Sequence, residues 1–341
     1  MTESMRAIGL YKHLPISNKE SLINVTVPKP KVSGRDILVK IKAVSVNPVD
    51  TKVRANGDEE QEPKILGYDA SGIVESVGAD VSLFQEGDEV YYAGSISRPG
   101  SNSEYQLVDE RIAAKKPENL SFNEAAALPL TTLTAWEALF ERLNISADAS
   151  VNQGKTILII GASGGVGSMA VQLADLAGLT IVGTASREET ISWAKDRGCD
   201  YTLNHHQDFQ SQLESIGKSQ VDYILCLNST EEHWGHMVEA IKPQGKICSI
   251  VETEGKLDLT ALQQKSATFV WEFMFTRPLF QTEDMQEQHR ILTKTAELIA
   301  EDKLTTTLTE TLTGLHAENL REAHRKVETG KMIGKVVVGA E

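Results

Sequence analysis

The sequence contains no apolar run approaching the ~20 residues of a membrane-spanning helix, and its first residues, MTESMRAIGLYKHL, lack the apolar core of a secretory leader. It has only three cysteines, Cys199, Cys226 and Cys248, far apart and without a C-x-x-C pair. That offers no disulfide or metal framework by spacing and fits a reducing, cytoplasmic setting. Positive charge is in deficit: 34 Lys and Arg against 48 Asp and Glu give a formal net charge of −14. A polyanion would be repelled, which argues against nucleic acid as the main partner. What remains is ordinary globular composition, 40% hydrophobic and 24% charged over 341 residues, enough for about two domains with separate cores.

Among the features present, the stretch Thr156 to Ala177, TILIIGASGGVGSMAVQLADLA, is the most informative. An apolar run, Ile157 to Ile160, breaks into a glycine turn, Gly161 to Gly167, and continues with helical periodicity. This reads as strand, tight turn and helix, the phosphate-cradling unit of a dinucleotide-binding fold. A pyrophosphate needs backbone N–H groups and the positive end of a helix dipole at close range, where a β-carbon would obstruct it. Gly164 is expected to admit the pyrophosphate, Gly167 to let the helix start pack on the strand, and Gly165 to add latitude with Val166 beside it. Ala162 stands where the motif usually has its first glycine. Nearly half the chain precedes the motif.

About twenty residues on, a second strand, Leu179 to Thr184, ends in Ala185-Ser186-Arg187. An NAD site usually ends this strand with Asp or Glu for the ribose hydroxyls. Here a hydroxyl and a guanidinium stand where a 2′-phosphate would lie, and the planar fork of Arg suits phosphate. Ser186 and Arg187 therefore predict NADPH over NADH.

The chain reads in three parts. Residues 1–125 carry short strands punctuated by Gly and Pro, including Ile37–Ala43, Ala70–Gly78 and Gly87–Ala93. From Ser121 the text turns helical, interrupted by Pro129. Strands are then expected at 156–161, 179–184, 221–226, 245–251 and 267–275, alternating with helices. The end reads helix (283–301), strand (304–312), helix (316–329) and strand (335–339).

Read together, Ser45-Val-Asn-Pro-Val-Asp-Thr-Lys52, Ile65-Leu-Gly-Tyr-Asp-Ala-Ser-Gly72, Gly87-Asp-Glu-Val90, Arg98-Pro-Gly-Ser101, Ala125-Ala-Ala-Leu-Pro-Leu130, Leu133-Thr-Ala-Trp136, the glycine turn and Gly334-Lys-Val-Val-Val338 run from end to end of the chain. In this the sequence resembles the medium-chain dehydrogenase/reductases, their quinone oxidoreductase branch, and within it the zinc-type alcohol dehydrogenase-like subgroup. The resemblance implies an α/β fold in which a Rossmann doubly wound parallel-sheet NADP-binding domain (126–280) is inserted into a mostly β GroES-like catalytic domain (1–125, completed by 281–341). It also implies an active site in the cleft between the domains, and a homodimer formed by joining Rossmann edge strands, with Ala267–Phe275 as the pairing edge.

The subgroup label includes zinc, but the matching positions do not supply it. Where zinc-dependent relatives place Cys, a His-Glu pair and a further Cys or Asp, this chain has Asn47, Tyr68-Asp69 and about Leu130. Catalytic zinc wants three ligands drawn from His, Cys and carboxylate. His233 and His236, three residues apart, lack an evident third ligand and read as surface histidines; His205 and His206 would point apart on any regular element. No metal is expected.

Without a Lewis acid, an isolated ketone is a hard substrate. A quinone or α,β-unsaturated carbonyl is easier, because charge spreads over the conjugated system and one hydrogen-bond donor near the oxygen can suffice. Asn47 and Tyr68 match family positions that face the nicotinamide, so they are the catalytic candidates, against plainer roles as a turn residue and a pocket wall. By position, Thr134, His205, Asn228, Ser249 and Val251 join Ala162, Gly164–Gly167, Ser186 and Arg187 as cofactor contacts. Three readings stand: a zinc-independent NADPH-dependent quinone or enone reductase, a zinc-dependent alcohol dehydrogenase, and a non-catalytic, redox-sensing NADPH-binding protein.

Overall fold

The computed structural model describes residues 3–340, which form two compact units. The first comprises residues up to 133 together with 275–340; the second comprises 134–274.

The first unit opens with β1 (Ser4–Leu10), β2 (Ile23–Pro28), β3 (Asp36–Ser45), helix α1 (Pro48–Ala55), β4 (Lys64–Ile65), β5 (Ala70–Val77), β6 (Glu89–Tyr92), β7 (Tyr105–Asp109), β8 (Ala113–Lys115) and α2 (Phe122–Ala126). Local chemistry sets several of these boundaries. Pro48 stands at the first turn of α1, where its missing N–H costs nothing, and the Asp50 carboxylate accepts from the backbone N–H of Asn47, the N-cap. Ser121 and Glu124 form a capping box at the start of α2. Pro129 opens a separate helix, α3 (Pro129–Trp136), whose continuation widens into a π-turn over Glu137–Arg142.

The second unit runs β9 (Thr156–Ile160), α4 (Gly165–Leu176), β10 (Thr180–Thr184), α5 (Glu188–Lys195), β11 (Tyr201–Leu203), α6 (Phe209–Ser215), β12 (Val221–Cys226), α7 (Thr230–Ala240), β13 (Ile241–Ser249) and β14 (Thr268–Trp271). The chain then returns to the first unit with α8 (Thr276–Phe280), α9 (Glu287–Ala300), β15 (Leu308–Thr313), α10 (Ala317–Glu328) and β16 (Lys335–Gly339).

In the second unit the six strands lie in the order β11-β10-β9-β12-β13-β14, every pair parallel. This is a doubly wound sheet that reverses its winding between β9 and β12, where such sheets bind ligands at their carboxyl edge. Its central strand β9 is apolar from Ile157 to Ile160, as expected where helices cover both faces; all five residues of β9 are buried. Leu158, Ile160, Val182, Ile224 and Ile247 anchor one core cluster.

The first unit has a seven-stranded sheet ordered β15-β16-β3-β5-β6-β8, with β7 also pairing β3, and a three-stranded sheet β2-β1-β4. Ile37, Val39, Ile41, Val90, Val336 and Val338 belong to its core. The units change over at 133/134 and 274/275, inside the span expected for the Rossmann domain. At the first changeover α2 stays behind because Ala126 and Ala127 pack on Ala43 and Val337. At the second, the Phe275 ring sits edge-on to Tyr68, centroids 5.3 Å apart. The strand expected to reach residue 275 ends at Trp271, and β11, three residues long, was not foreseen.

Candidate functional site

In the second unit the glycine turn links buried β9 to α4. Gly161 has φ +92°, a backbone state that disfavours side chains, and its N–H donates to Thr184 Oγ1 at 2.9 Å. A β-carbon on Gly167 would lie 2.1 Å from Gly161 O, so only glycine allows the helix start to sit this close to the strand. Gly164, the N-cap of α4, is different: a β-carbon there would meet nothing nearer than Gly161 O at 3.6 Å. The space over Gly164 is open, and the amides of Gly165, Val166 and Gly167 lie in the first turn, where intrahelical partners are lacking. Ala162 is fully buried. The cradle therefore fits a pyrophosphate: unpaired donors, a positive dipole end and room.

The other expected cofactor residues follow the carboxyl ends of successive strands. Ser186 and Arg187 follow β10, and Arg187 pairs with Glu189 at 3.0 Å on a guanidinium 41% exposed. An exposed pair of this kind contributes little to stability. His205 follows β11; burial and the neighbouring His206 hold its pKa below the ordinary value. Contrary to the expectation that the two would point apart, their rings are 4.1 Å apart, because they lie in a turn rather than on a regular element. Asn228 follows β12 and is exposed. Ser249 ends β13 fully buried, its hydroxyl 2.6 Å from Thr230 Oγ1, which is also 2.6 Å from Val251 O. Thr134, on α3, is 5% exposed.

In the first unit, Asn47 and Tyr68 are buried beside Asp50, Asp69 and Lys335. Asn47 Nδ2 donates to Asp69 Oδ2 at 2.8 Å, and the Lys335 ammonium donates to Asn47 Oδ1 and, at 2.9 Å, to Val46 O. Lys335 Nζ is 3.3 Å from Asp69 Oδ2, while Asp69 Oδ1 accepts from the N–H of Leu130 at 2.8 Å. Burial pushes Asp69 up and Lys335 down, and their mutual attraction opposes both shifts. The donors converging on Asp69 are those of a carboxylate, and three acceptors around Nζ are those of an ammonium. Asp50 is pushed up to about 7 by burial, and its Oδ1 has no hydrogen-bond partner. Tyr68 is raised well above the ordinary phenol value by burial and by Asp50.

Lys335 lies in the motif Gly334–Val338, whose position alone implies no role for it. The available signal was a lysine opening an otherwise apolar strand, Val336 to Val338. A second unforeseen group is Glu272, 3% exposed, held by Arg142 Nε at 2.7 Å and hydrogen-bonded to buried Glu137, with burial pushing its pKa up. A metal fits the Asn47 cluster poorly: it offers two carboxylates rather than three ligands, and a lysine ammonium already stands at Asp69.

The chain matches the family of alcohol dehydrogenase GroES-like domains over residues 33–118 and that of zinc-binding dehydrogenases over 197–338. It is 46% identical over 334 residues to a zinc-type alcohol dehydrogenase-like protein of Staphylococcus aureus (strain COL), covering 98% of this chain and 99% of that one. More partial matches are a 2-methylene-furan-3-one reductase of Solanum lycopersicum, 38% over 215 residues (58% and 53% of the two chains), and a human quinone oxidoreductase, 34% over 226 residues (65% of each). Among solved structures, one from Rhizobium etli CFN 42 assigned to the zinc-dependent alcohol dehydrogenases superposes with TM-score 0.95 at 45% identity, covering 99% of both chains. The Escherichia coli quinone oxidoreductase complexed with NADPH has the same fold, TM-score 0.82 at 23% identity over 98% of this chain and 99% of that one.

Proposed function

The chain belongs to the medium-chain dehydrogenase/reductase superfamily, in its quinone oxidoreductase-like branch, and from that premise we propose that it is a zinc-independent, NADPH-dependent reductase of quinones or α,β-unsaturated carbonyl compounds. The observation that carries this reading is the closed network of Asn47, Asp69 and Lys335, in which the positive charge comes from a side chain. The glycine cradle and the Ser186-Arg187 pair support the cofactor assignment, and the reductase names of the tomato and human relatives support the substrate class.

NADPH, when bound, supplies the hydride. The chain's own contribution would begin with Gly164–Gly167, which would hold the pyrophosphate, and Arg187, which would hold the 2′-phosphate. Reduction of a conjugated acceptor would build negative charge on its oxygen, where the Tyr68 hydroxyl would donate a hydrogen bond. With its pKa raised, Tyr68 stays a neutral donor across the working pH range. It stabilises the oxyanion without surrendering its proton, and solvent protonates the product. Asn47 keeps both ends of its amide in the buried network, so it acts by fixing the loop that precedes α1.

The test is NADPH oxidation by untagged enzyme against a panel of quinones, enones, simple ketones and alcohols. Turnover should be confined to the conjugated acceptors, and Tyr68→Phe should lower kcat by about a hundredfold, the order seen when an oxyanion donor is removed. Metal-dependent alcohol oxidation, or NADPH binding without turnover of any acceptor, would overturn the proposal.

A further inference from the structure

Away from the buried network, helices α6 and α7 bring three donors together. Asp208, which caps α6, and His236 and Glu239 of α7 each present a ligand atom within 4.8 Å of the other two. The arrangement is held in place. Asp208 Oδ2 accepts from the backbone N–H of Ser211 at 2.7 Å, and the His236 ring stacks on fully buried Phe209, centroids 4.5 Å apart and planes 19° off parallel. His233, which the sequence pairs with His236, is not the partner: it is 3% exposed and stacked on Phe209 itself. No Lys or Arg forms an ion pair with Asp208 or Glu239 among the described residues. Lys265 comes close, but its ammonium is committed to the backbone carbonyls of Val238, Glu239 and Ile241.

We propose that Asp208, His236 and Glu239 form a divalent transition-metal site that clips α6 to α7. One imidazole and two carboxylates suit a borderline cation such as Zn²⁺, Co²⁺ or Ni²⁺ better than Mg²⁺ or Ca²⁺, which prefer oxygen alone. Bonds of about 2.0–2.2 Å place ligand atoms roughly 3–3.5 Å apart, and the exposed Glu239 side chain has the rotational freedom to close that distance. Water completes the shell. The site is structural: it lies on two helices of one unit and shares no residue with the glycine turn. Zinc carried by the purified protein belongs here rather than beside Tyr68.

The experiment titrates Zn²⁺ calorimetrically into untagged, chelator-stripped protein, with Mg²⁺ as a control and the melting temperature read in parallel. Saturable binding at one equivalent, with a raised melting temperature, is expected. His236→Ala and Asp208→Asn should each weaken binding at least about tenfold; Asn is itself a good helix cap, so the second variant keeps the fold. NADPH-dependent turnover should be unchanged by the metal or by either substitution. Absence of saturable binding, or binding unaffected in both variants, would overturn the site and leave the reductase reading standing. Binding lost in Asp69→Asn instead would overturn both.

Discussion

Lys335 is the residue on which the buried network of the first unit depends. Its ammonium holds Asn47 and faces Asp69, so Lys335→Met strands a buried carboxylate. Breaking such a pair from one side costs about 3–5 kcal/mol, and the variant should show a markedly lower melting temperature together with reduced kcat. A second residue-scale prediction concerns acid. His324 is fully buried, neither ring nitrogen has a hydrogen-bond partner, and burial with nearby Arg54 lowers its pKa to about 3. An unfolded imidazole titrates near 6.5. Between those values the unfolded chain takes up a proton that the folded chain excludes, so stability is full above about 6.5 and is lost as pH falls towards 3. Asp50, pushed up to about 7, works in the opposite direction: its contribution is lost as pH rises from about 4 to 7. Denaturant unfolding at pH 7.5 and pH 5, compared between the wild type and His324→Leu, isolates the histidine; the variant should lose less stability on acidification. Asn47 and Tyr68 were legible as candidates because they occupy motif positions. The partner of Asn47 was not, since Lys335 lies 288 residues away and only the pairing of β16 with β3 brings them together.

At the scale of elements, the glycine turn separates two roles that one motif conceals. Gly167 is required by close packing within the protein, whereas nothing in the protein crowds Gly164. Gly167→Ala should destabilise the fold, because its β-carbon collides with Gly161 O. Gly164→Ala should leave the melting temperature of the unliganded protein nearly unchanged, since its φ is −73° and its surroundings are open, while weakening NADPH affinity measured by fluorescence titration. Arg187→Ala should raise KM for NADPH about 10–100-fold, the value of a charge-assisted hydrogen bond, and leave KM for NADH nearly unchanged. The turn could be read from sequence because β9 is an unbroken apolar run and the helix after it is periodic. Strand β11 escaped notice because three residues carry no period, and the π-turn at Glu137–Arg142 has no sequence signature that separates it from the end of α3. The donors of Asp208, His236 and Glu239 escaped for a related reason: two are near neighbours on α7, and the third comes from another helix.

At the scale of the molecule, each of the two units has its own core, and no helix among the described residues is long and apolar enough to cross a membrane. Strand β14 is the outermost of the parallel sheet and carries Trp271 at 47% exposure, with Phe273 close behind at 46%. Trp271 at the outer strand of a sheet invites pairing; we propose that a second copy of the chain packs on it. Light scattering should report a dimer, and Trp271→Asp should shift it towards monomer. The alternation of strands and helices in the second unit could be read from the sequence and its doubly wound parallel sheet from the resemblance, whereas the points where the chain passes between units depend on packing by Ala126, Ala127 and Phe275 that no local pattern encodes. The measurement that bears most directly on the whole account is the turnover number of untagged, chelator-stripped enzyme with NADPH and a conjugated carbonyl or quinone, its metal content determined in the same sample. Turnover equal to that of the untreated enzyme is the predicted result; an inactive stripped enzyme restored by zinc would contradict it.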